Sequence, residues 1–189
     1  MNFLVEGHTM ARAKSGSGDS GGVGSASTPT SALVGLALGR IFLGGFFLYS
    51  GILNIYMFNA FTAALRTATT RSGEYVAGNY VDGYANMLNN AINPHPDIAA
   101  MCIIGLELLV GALLLIGLLT RLAAAVAIIM NLCYLLAQAH IATPVLQVEF
   151  AWVNGTFIML ELAILLGAAG RIWGIDSKLA RKSGGGVLW

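Results

Sequence analysis

The sequence predicts an all-α integral membrane protein, a four-helix bundle with a long outer loop after its first helix and a Gly/Ser-rich N-terminal tail. Three observations lead to this prediction. The 189 residues are 57% hydrophobic and 10% charged, whereas about 25% of the residues of an average soluble domain are charged. Four apolar segments approach or exceed the length that crosses a hydrocarbon core of about 30 Å. Each segment also carries polar or small residues on one face.

The first 30 residues are predicted to form a low-complexity tail. They are rich in Gly, Ser and Thr and contain too little apolar surface to fold alone. A secretory signal needs an apolar core of about 7 to 15 residues, which this segment lacks, so we expect a tail and not a cleaved leader. Met10 is an alternative to Met1 as the start of translation.

The bundle is expected over residues 31–175. Its spans are predicted at residues 33–57, 97–119, 121–139 and 151–170. Only Thr120 separates the second span from the third, so these two helices must be antiparallel neighbours. Residues 176–189 are predicted to form a basic C-terminal tail.

The predicted outer loop, residues 58–96, contains apolar and aromatic side chains at roughly helical spacing. This spacing predicts a short amphipathic helix at the membrane interface, where tyrosine is favoured. The residues that form the pattern are Tyr75, Tyr80, Tyr84, Met87 and Leu88.

The distribution of lysine and arginine predicts the orientation of the bundle. In a four-span protein the N-terminal tail, the turn at Arg121 and the C-terminal tail lie on one side, and the long loop lies on the other. The long loop has only Arg66 and Arg71. The positive-inside rule therefore places both termini in the cytoplasm. The cations on that side are Arg12, Lys14, Arg121, Arg171, Lys178, Arg181 and Lys182.

Polar residues within the spans are expected to form two layers. A rise of 1.5 Å per residue places the four members of the inner layer within roughly 8 Å of one another in height, as one buried polar cluster. The inner layer consists of Arg40, Glu107, Asn131 and Glu161. The outer layer consists of Asn54, Gln138, Asn154 and, at the rim, His140.

One arginine and two glutamates in the inner layer leave a formal charge of minus one. Arginine stays protonated, so one carboxylate is expected to pair with Arg40 while the other keeps its proton. Two interpretations remain open. The group is either a buried network that fixes the register of the helices, or a site at which the protonated carboxyl exchanges its proton with a bound quinol or along a proton path.

Several classes of function are not supported by the sequence. It contains no HExxH motif, no paired CxxC motifs and no pair of histidines within the spans that could hold a haem, so no metal site is predicted. Cys102 and Cys133 are interpreted as buried thiols. A net charge of +1 argues against nucleic-acid binding. A carrier or channel is a weaker alternative, because transporters show internal repeats or broken helices and this sequence shows neither.

Three segments together resemble the DoxX-like family of membrane proteins, over about residues 33 to 180. They are GRIFLGGFFLYSG, ELLVGALLLIGLLTRLAAAVAIIM and GAAGRIWGIDSKLAR. The last contains a Gly-Arg-Asp pattern formed by Gly167, Gly170, Arg171 and Asp176. The resemblance also implies that Arg40 and Glu107 occupy motif positions of the family.

The resemblance implies a small four-helix subunit of a redox system in a bacterial or archaeal cytoplasmic membrane, similar to the membrane subunit of thiosulfate:quinone oxidoreductase. We therefore expect a membrane subunit of a quinone-linked electron-transfer complex. The expected partners are lipid, other membrane subunits and a quinone, with no covalently bound cofactor. No residue is assigned a catalytic role, and an accessory subunit is favoured over a stand-alone enzyme. The alternative is a structural or assembly subunit of a larger respiratory or photosynthetic complex.

Overall fold

The computed structural model describes residues 30–75, 88–138, 144–167 and 169–183, and these residues are helical apart from short turns. The all-α prediction is confirmed. The helices are α1 (Thr30–Tyr56), α2 (Phe58–Tyr75), α3 (Pro96–Ile116), α4 (Thr120–Gln138), α5 (Pro144–Gly167) and α6 (Ile175–Ser183). A π-helical turn lies at Leu88–Ile92 and a 3₁₀ turn at Ala169–Arg171.

Four of the helices enclose the core. Helix α1 packs mainly on α3, and α4 packs mainly on α5, while contacts of α1 with α5 and of α3 with α4 join the two pairs. Leu43, Phe47, Leu114 and Ile164 lie in the core at 0 to 2% exposure. The core is apolar because each helix turns one apolar stripe of its surface toward the other three helices.

Helices α1 and α3 approach closely where two glycines face each other. A Cβ atom on Gly44 would lie 2.6 Å from the backbone nitrogen of Leu115, and one on Gly111 would lie 2.7 Å from the backbone nitrogen of Leu48. Real Cβ atoms do not come this close to backbone atoms. The two glycines therefore allow the helix backbones to touch, as small residues do in membrane helix pairs.

The outer surface of the bundle is apolar. The segments Ser31–Tyr56 and Pro96–Ile116 are long and apolar enough to cross a membrane, and only 28% and 33% of their most apolar windows is buried. The core helix of a soluble protein would be mostly buried. Two shorter apolar helical segments, Thr120–Leu136 and Ala151–Gly167, complete the bundle. This arrangement indicates helices whose outer faces meet lipid.

The segment that follows α1 begins as a helix. Helix α2 continues from α1 after a break at Met57, and it packs on α3 and α4. Phe58, Phe61 and Leu65 recur at helical spacing, which gives α2 an apolar side. The amphipathic helix was expected further along the chain. Tyr75 is instead the last residue of α2, Leu88 starts the π-helical turn, and the intervening Tyr80, Tyr84 and Met87 lie outside the described residues.

The start of the predicted C-terminal tail is a packed part of the fold. Asp176, at 1% exposure, accepts hydrogen bonds from the backbone nitrogens of Leu119 at 2.8 Å and Thr120 at 2.9 Å. Its own backbone nitrogen donates to the carbonyl oxygen of Gly117 at 2.9 Å. The first N–H groups of a helix lack acceptors within the helix. Asp176 supplies them for α4, so it caps that helix from a distant part of the chain.

Candidate functional site

The carboxylate of Glu107 is held by three hydrogen-bond donors from two neighbouring helices. Ser50 Oγ and Tyr134 Oη donate to Oε1 at 3.0 and 2.8 Å, and Asn54 Nδ2 donates to Oε2 at 2.8 Å. Glu107 itself is 2% exposed. A buried carboxylate is tolerated when both of its oxygens are hydrogen-bonded. These contacts fix its orientation between α1, α3 and α4.

The Glu107 carboxylate lies at the wall of a cavity of about 300 Å³. This volume is at the lower end of the range of small-molecule sites. The wall combines flat apolar rings with a few converging polar groups, as in sites that bind an organic ring and orient it through its polar substituents. The residues that line the cavity are Phe46, Phe47, Ser50, Asn54, Phe61, Glu107, Asn131, Tyr134, Val153, Asn154 and Phe157.

A second buried carboxyl lies beside the cavity. Asn131 lines the cavity, and its Nδ2 donates to Glu161 Oε1 at 2.6 Å. Glu161 is fully buried, and its Oε2 has no hydrogen-bond partner within the described residues. Asn131 therefore links the cavity to a carboxyl that lies outside its wall.

Arg40 does not join either glutamate, which corrects the expectation of one inner cluster. Its Nη2 donates to the carbonyl oxygen of Trp173 at 3.4 Å, and the nearby Asp176 carboxylate acts on it electrostatically. Within the described residues it forms no ion pair with Glu107 or Glu161. Its Nε and Nη1 have no hydrogen-bond partner there either.

The register of α1 against α3 separates Arg40 from Glu107, and the direction of the side chains adds to it. Arg40 contacts the position of Gly117 at the end of α3. Gly51, eleven residues after Arg40 on α1, lies against Glu107. A side chain in an α-helix leans toward the N-terminus of its own helix. Helices α1 and α3 are joined through α2 and run antiparallel, so Arg40 on α1 and Glu107 on α3 lean toward opposite ends of the bundle. The helix register and the opposite lean of the side chains both move the two charged groups apart.

Two glycines complete the surroundings of Arg40. Gly117 has a positive φ of 67°, a conformation that favours glycine, and it ends α3. A Cβ atom on Gly117 would collide with Nη1 of Arg40, and one on Gly174 would lie 2.7 Å from the same nitrogen. Arg40 thus fills the space between the end of α3 and the segment that precedes α6.

The predicted outer layer is only partly described. Asn54 and Asn154 line the same cavity as Glu107 and Asn131, so members of the two expected layers meet at one site. Gln138 is the last residue of α4. The side chain of Gln138 and all of His140 lie outside the described residues.

Ser50 and Tyr134 were not identified by the sequence analysis. Ser50 lies four residues before Asn54, and Tyr134 lies three residues after Asn131, so each shares a helix face with a residue of the predicted layers. This spacing is a signal that could have located both.

The fold and the site define a class: an all-helical membrane protein whose bundle holds a mainly apolar cavity with a buried carboxylate at its wall. Residues 35–187 match the family model described as TQO small subunit DoxD. The chain therefore belongs to the DoxD family, as the resemblance to DoxX-like proteins predicted. No curated protein and no solved structure matches the chain. The matched range contains every residue that lines the cavity.

Proposed function

We propose that this protein is the membrane subunit of a thiosulfate:quinone oxidoreductase and that its cavity binds the ring of the quinone substrate. The family description supports the type of complex. The observation that carries the assignment of the site is the Glu107 carboxylate, which is fixed by three donors at the wall of a cavity with phenyl side chains.

The cavity offers the two kinds of contact that a quinone or quinol ring needs. The rings of Phe46, Phe47 and Phe157 provide flat apolar walls. The amides of Asn131 and Asn154 also line the cavity and can donate to a quinone oxygen. A carboxylate accepts hydrogen bonds only, so Glu107 is suited to a quinol hydroxyl.

The chemistry of the proposed site is a transfer of protons that accompanies electron transfer. Reduction of a quinone takes up two electrons and two protons, and in this proposal thiosulfate supplies the electrons through partner subunits. Glu107 would hold or release a proton at a ring oxygen, while Ser50, Asn54 and Tyr134 keep its carboxylate oriented.

The proposed orientation places both chain termini in the cytoplasm. Arg121 lies in the first turn of α4, and α6 carries Lys178, Arg181 and Lys182 at the same end of the bundle. The excess of cations at this end supports the assignment. The orientation is tested by fusing to the C-terminus a reporter that is active only in the cytoplasm. The fusion should be active.

The proposal is tested with the full-length protein in detergent, titrated with decylubiquinol, whose hydroxyl groups can donate to Glu107, while tryptophan fluorescence is followed. Glu107→Gln removes the charged acceptor, and hydrogen bonds to charged groups contribute about 1.5–3 kcal/mol, so affinity should fall by at least about ten-fold. Glu149→Gln is the matched control, because Glu149 is an exposed glutamate on α5. It should leave the affinity unchanged.

Two results would contradict the assignment of the cavity. One is the absence of saturable binding to the wild-type protein. The other is equal affinity of the Glu107→Gln and Glu149→Gln variants. The first result would favour a structural or assembly subunit that binds no quinone itself, and the second would mean that the ring binds away from Glu107.

A further inference from the structure

Helix α6 presents a basic face to its surroundings. Lys178, Arg181 and Lys182 are exposed, and their spacing of three and four residues places them together on one side of the helix. Asp176 is buried on the opposite side, where it caps α4. The bundle therefore holds α6 by its acidic side and turns its basic side outward.

Within the part of the chain that the structure describes, no carboxylate neutralises the three charges. Like charges three and four residues apart on a helix repel one another. Asp176 is the only acidic residue of α6, and it is engaged with the α4 N-terminus. Within the described residues, Lys178, Arg181 and Lys182 form no ion pair. An external anion would relieve this repulsion.

The position of α6 indicates what that anion is. Seven residues, which include the 3₁₀ turn, separate α6 from the end of α5 at Gly167, so α6 begins close to where a spanning helix leaves the hydrocarbon. Trp173 and Ile175, at 65% and 41% exposure, lie beside the basic face. Tryptophan is favoured at the level of lipid headgroups. An apolar edge next to a basic face is typical of helices that lie on a membrane surface.

The backbone around Trp173 is fixed by the bundle. Trp173 has a φ of 53°, which is unusual for a residue other than glycine, and its carbonyl oxygen accepts a hydrogen bond from the buried Arg40. Such a conformation persists when the surrounding structure holds it. The exposed indole is therefore presented outward by a rigid segment.

We infer that the basic face of α6, together with Trp173, binds the headgroups of anionic phospholipids in the membrane that holds the bundle. Lys178, Arg181 and Lys182 contact the lipid phosphates, and Trp173 is anchored among the headgroups. Because Asp176 on the same helix caps α4, the contact of α6 with lipid also supports the end of the bundle at which α4 begins. Lipid binding by α6 does not depend on quinone binding in the cavity.

The test compares the association of spin-labelled phosphatidylglycerol and phosphatidylcholine with the full-length protein in phosphatidylcholine vesicles. Lys178→Gln, Arg181→Gln and Lys182→Gln are combined in one variant. A basic residue near an anionic surface changes lipid association by up to roughly five-fold. Wild-type protein should prefer phosphatidylglycerol, and the triple variant should lose most of that preference. Added salt should reduce the preference of the wild type in the same way.

The control exchanges the same residues but keeps the charge, as Lys178→Arg, Arg181→Lys and Lys182→Arg. It should retain the preference for phosphatidylglycerol. Circular dichroism of each variant in phosphatidylcholine checks that the bundle is folded. The inference is overturned if wild type shows no preference for phosphatidylglycerol, or if the folded triple glutamine variant keeps the wild-type preference.

Discussion

Replacing Asp176 by Asn should destabilise the bundle more than any exposed charge change. Asp176 accepts two backbone hydrogen bonds at the start of α4 and lies near the buried guanidinium of Arg40. A hydrogen bond to a charged group contributes about 1.5–3 kcal/mol. Asn keeps one acceptor oxygen, so one of the two backbone hydrogen bonds is lost and the other is made to a neutral group. The change also removes the carboxylate that lies near the buried Arg40. We expect a loss of about 1.5–3 kcal/mol in the free energy of unfolding.

The assay is unfolding in mixed micelles with increasing dodecyl sulfate, followed by tryptophan fluorescence. Asp97→Asn is the matched control, because Asp97 and Arg66 form an exposed pair at 3.8 Å with side-chain exposures of 61% and 59%. Exposed pairs contribute about 0–1 kcal/mol, so this variant should unfold almost as the wild type does.

A double-mutant cycle separates the electrostatic interaction of Asp176 with Arg40 from the cap. Arg40→Met should destabilise the bundle, and in the Arg40→Met background Asp176→Asn should cost less than it does alone. Neighbouring groups that interact show coupling of about 0.5–3 kcal/mol. Strictly additive effects, or an Asp176→Asn loss no larger than that of Asp97→Asn, would refute the reasoning.

Two further predictions concern helix contact and the site. Gly111→Ala should lower the free energy of unfolding by about 1–3 kcal/mol, because its Cβ atom would press on the backbone of Leu48. The Cβ atom of Gly105→Ala, on the same helix, meets open space, so this variant should be neutral. Equal unfolding curves for the two variants would contradict the close contact. Tyr134→Phe removes one of three donors to Glu107 and should lower the free energy of unfolding by about 1.5–3 kcal/mol. An unchanged unfolding curve would show that this hydrogen bond does not form.

Much of the cavity wall is predictable from local spacing. Asn54, Glu107, Asn131 and Asn154 were identified as polar residues of the spans, and all four line one cavity. A buried polar residue in an apolar helix must turn toward the other helices, since lipid offers no hydrogen bonds. The prediction of two separate layers did not hold for these four residues. Side chains of antiparallel helices lean toward opposite ends of the bundle, so they can meet across a difference in Cα height.

The part of the fold around Arg40 was not predictable in this way. Arg40 lies at helical spacing from the polar stripe of α1, yet its guanidinium contacts the segment near Trp173, 133 residues later in the chain. Asp176 was noticed only as part of a family pattern. Its role depends on a hydrogen bond to Thr120, 56 residues earlier, which no local pattern indicates.

The sequence by itself determined the apolar helices of the bundle, their apolar outer faces and which polar residues must be turned inward, because these properties follow from helical periodicity and the cost of exposing polar groups to lipid. Only the tertiary structure decided which of these residues meet. Glu107 faces Ser50, Asn54 and Tyr134, while Arg40 lies near Asp176. The physical reason is that pairing depends on the register of the packed helices, on the direction in which antiparallel side chains lean and on how the C-terminal helix returns to the bundle.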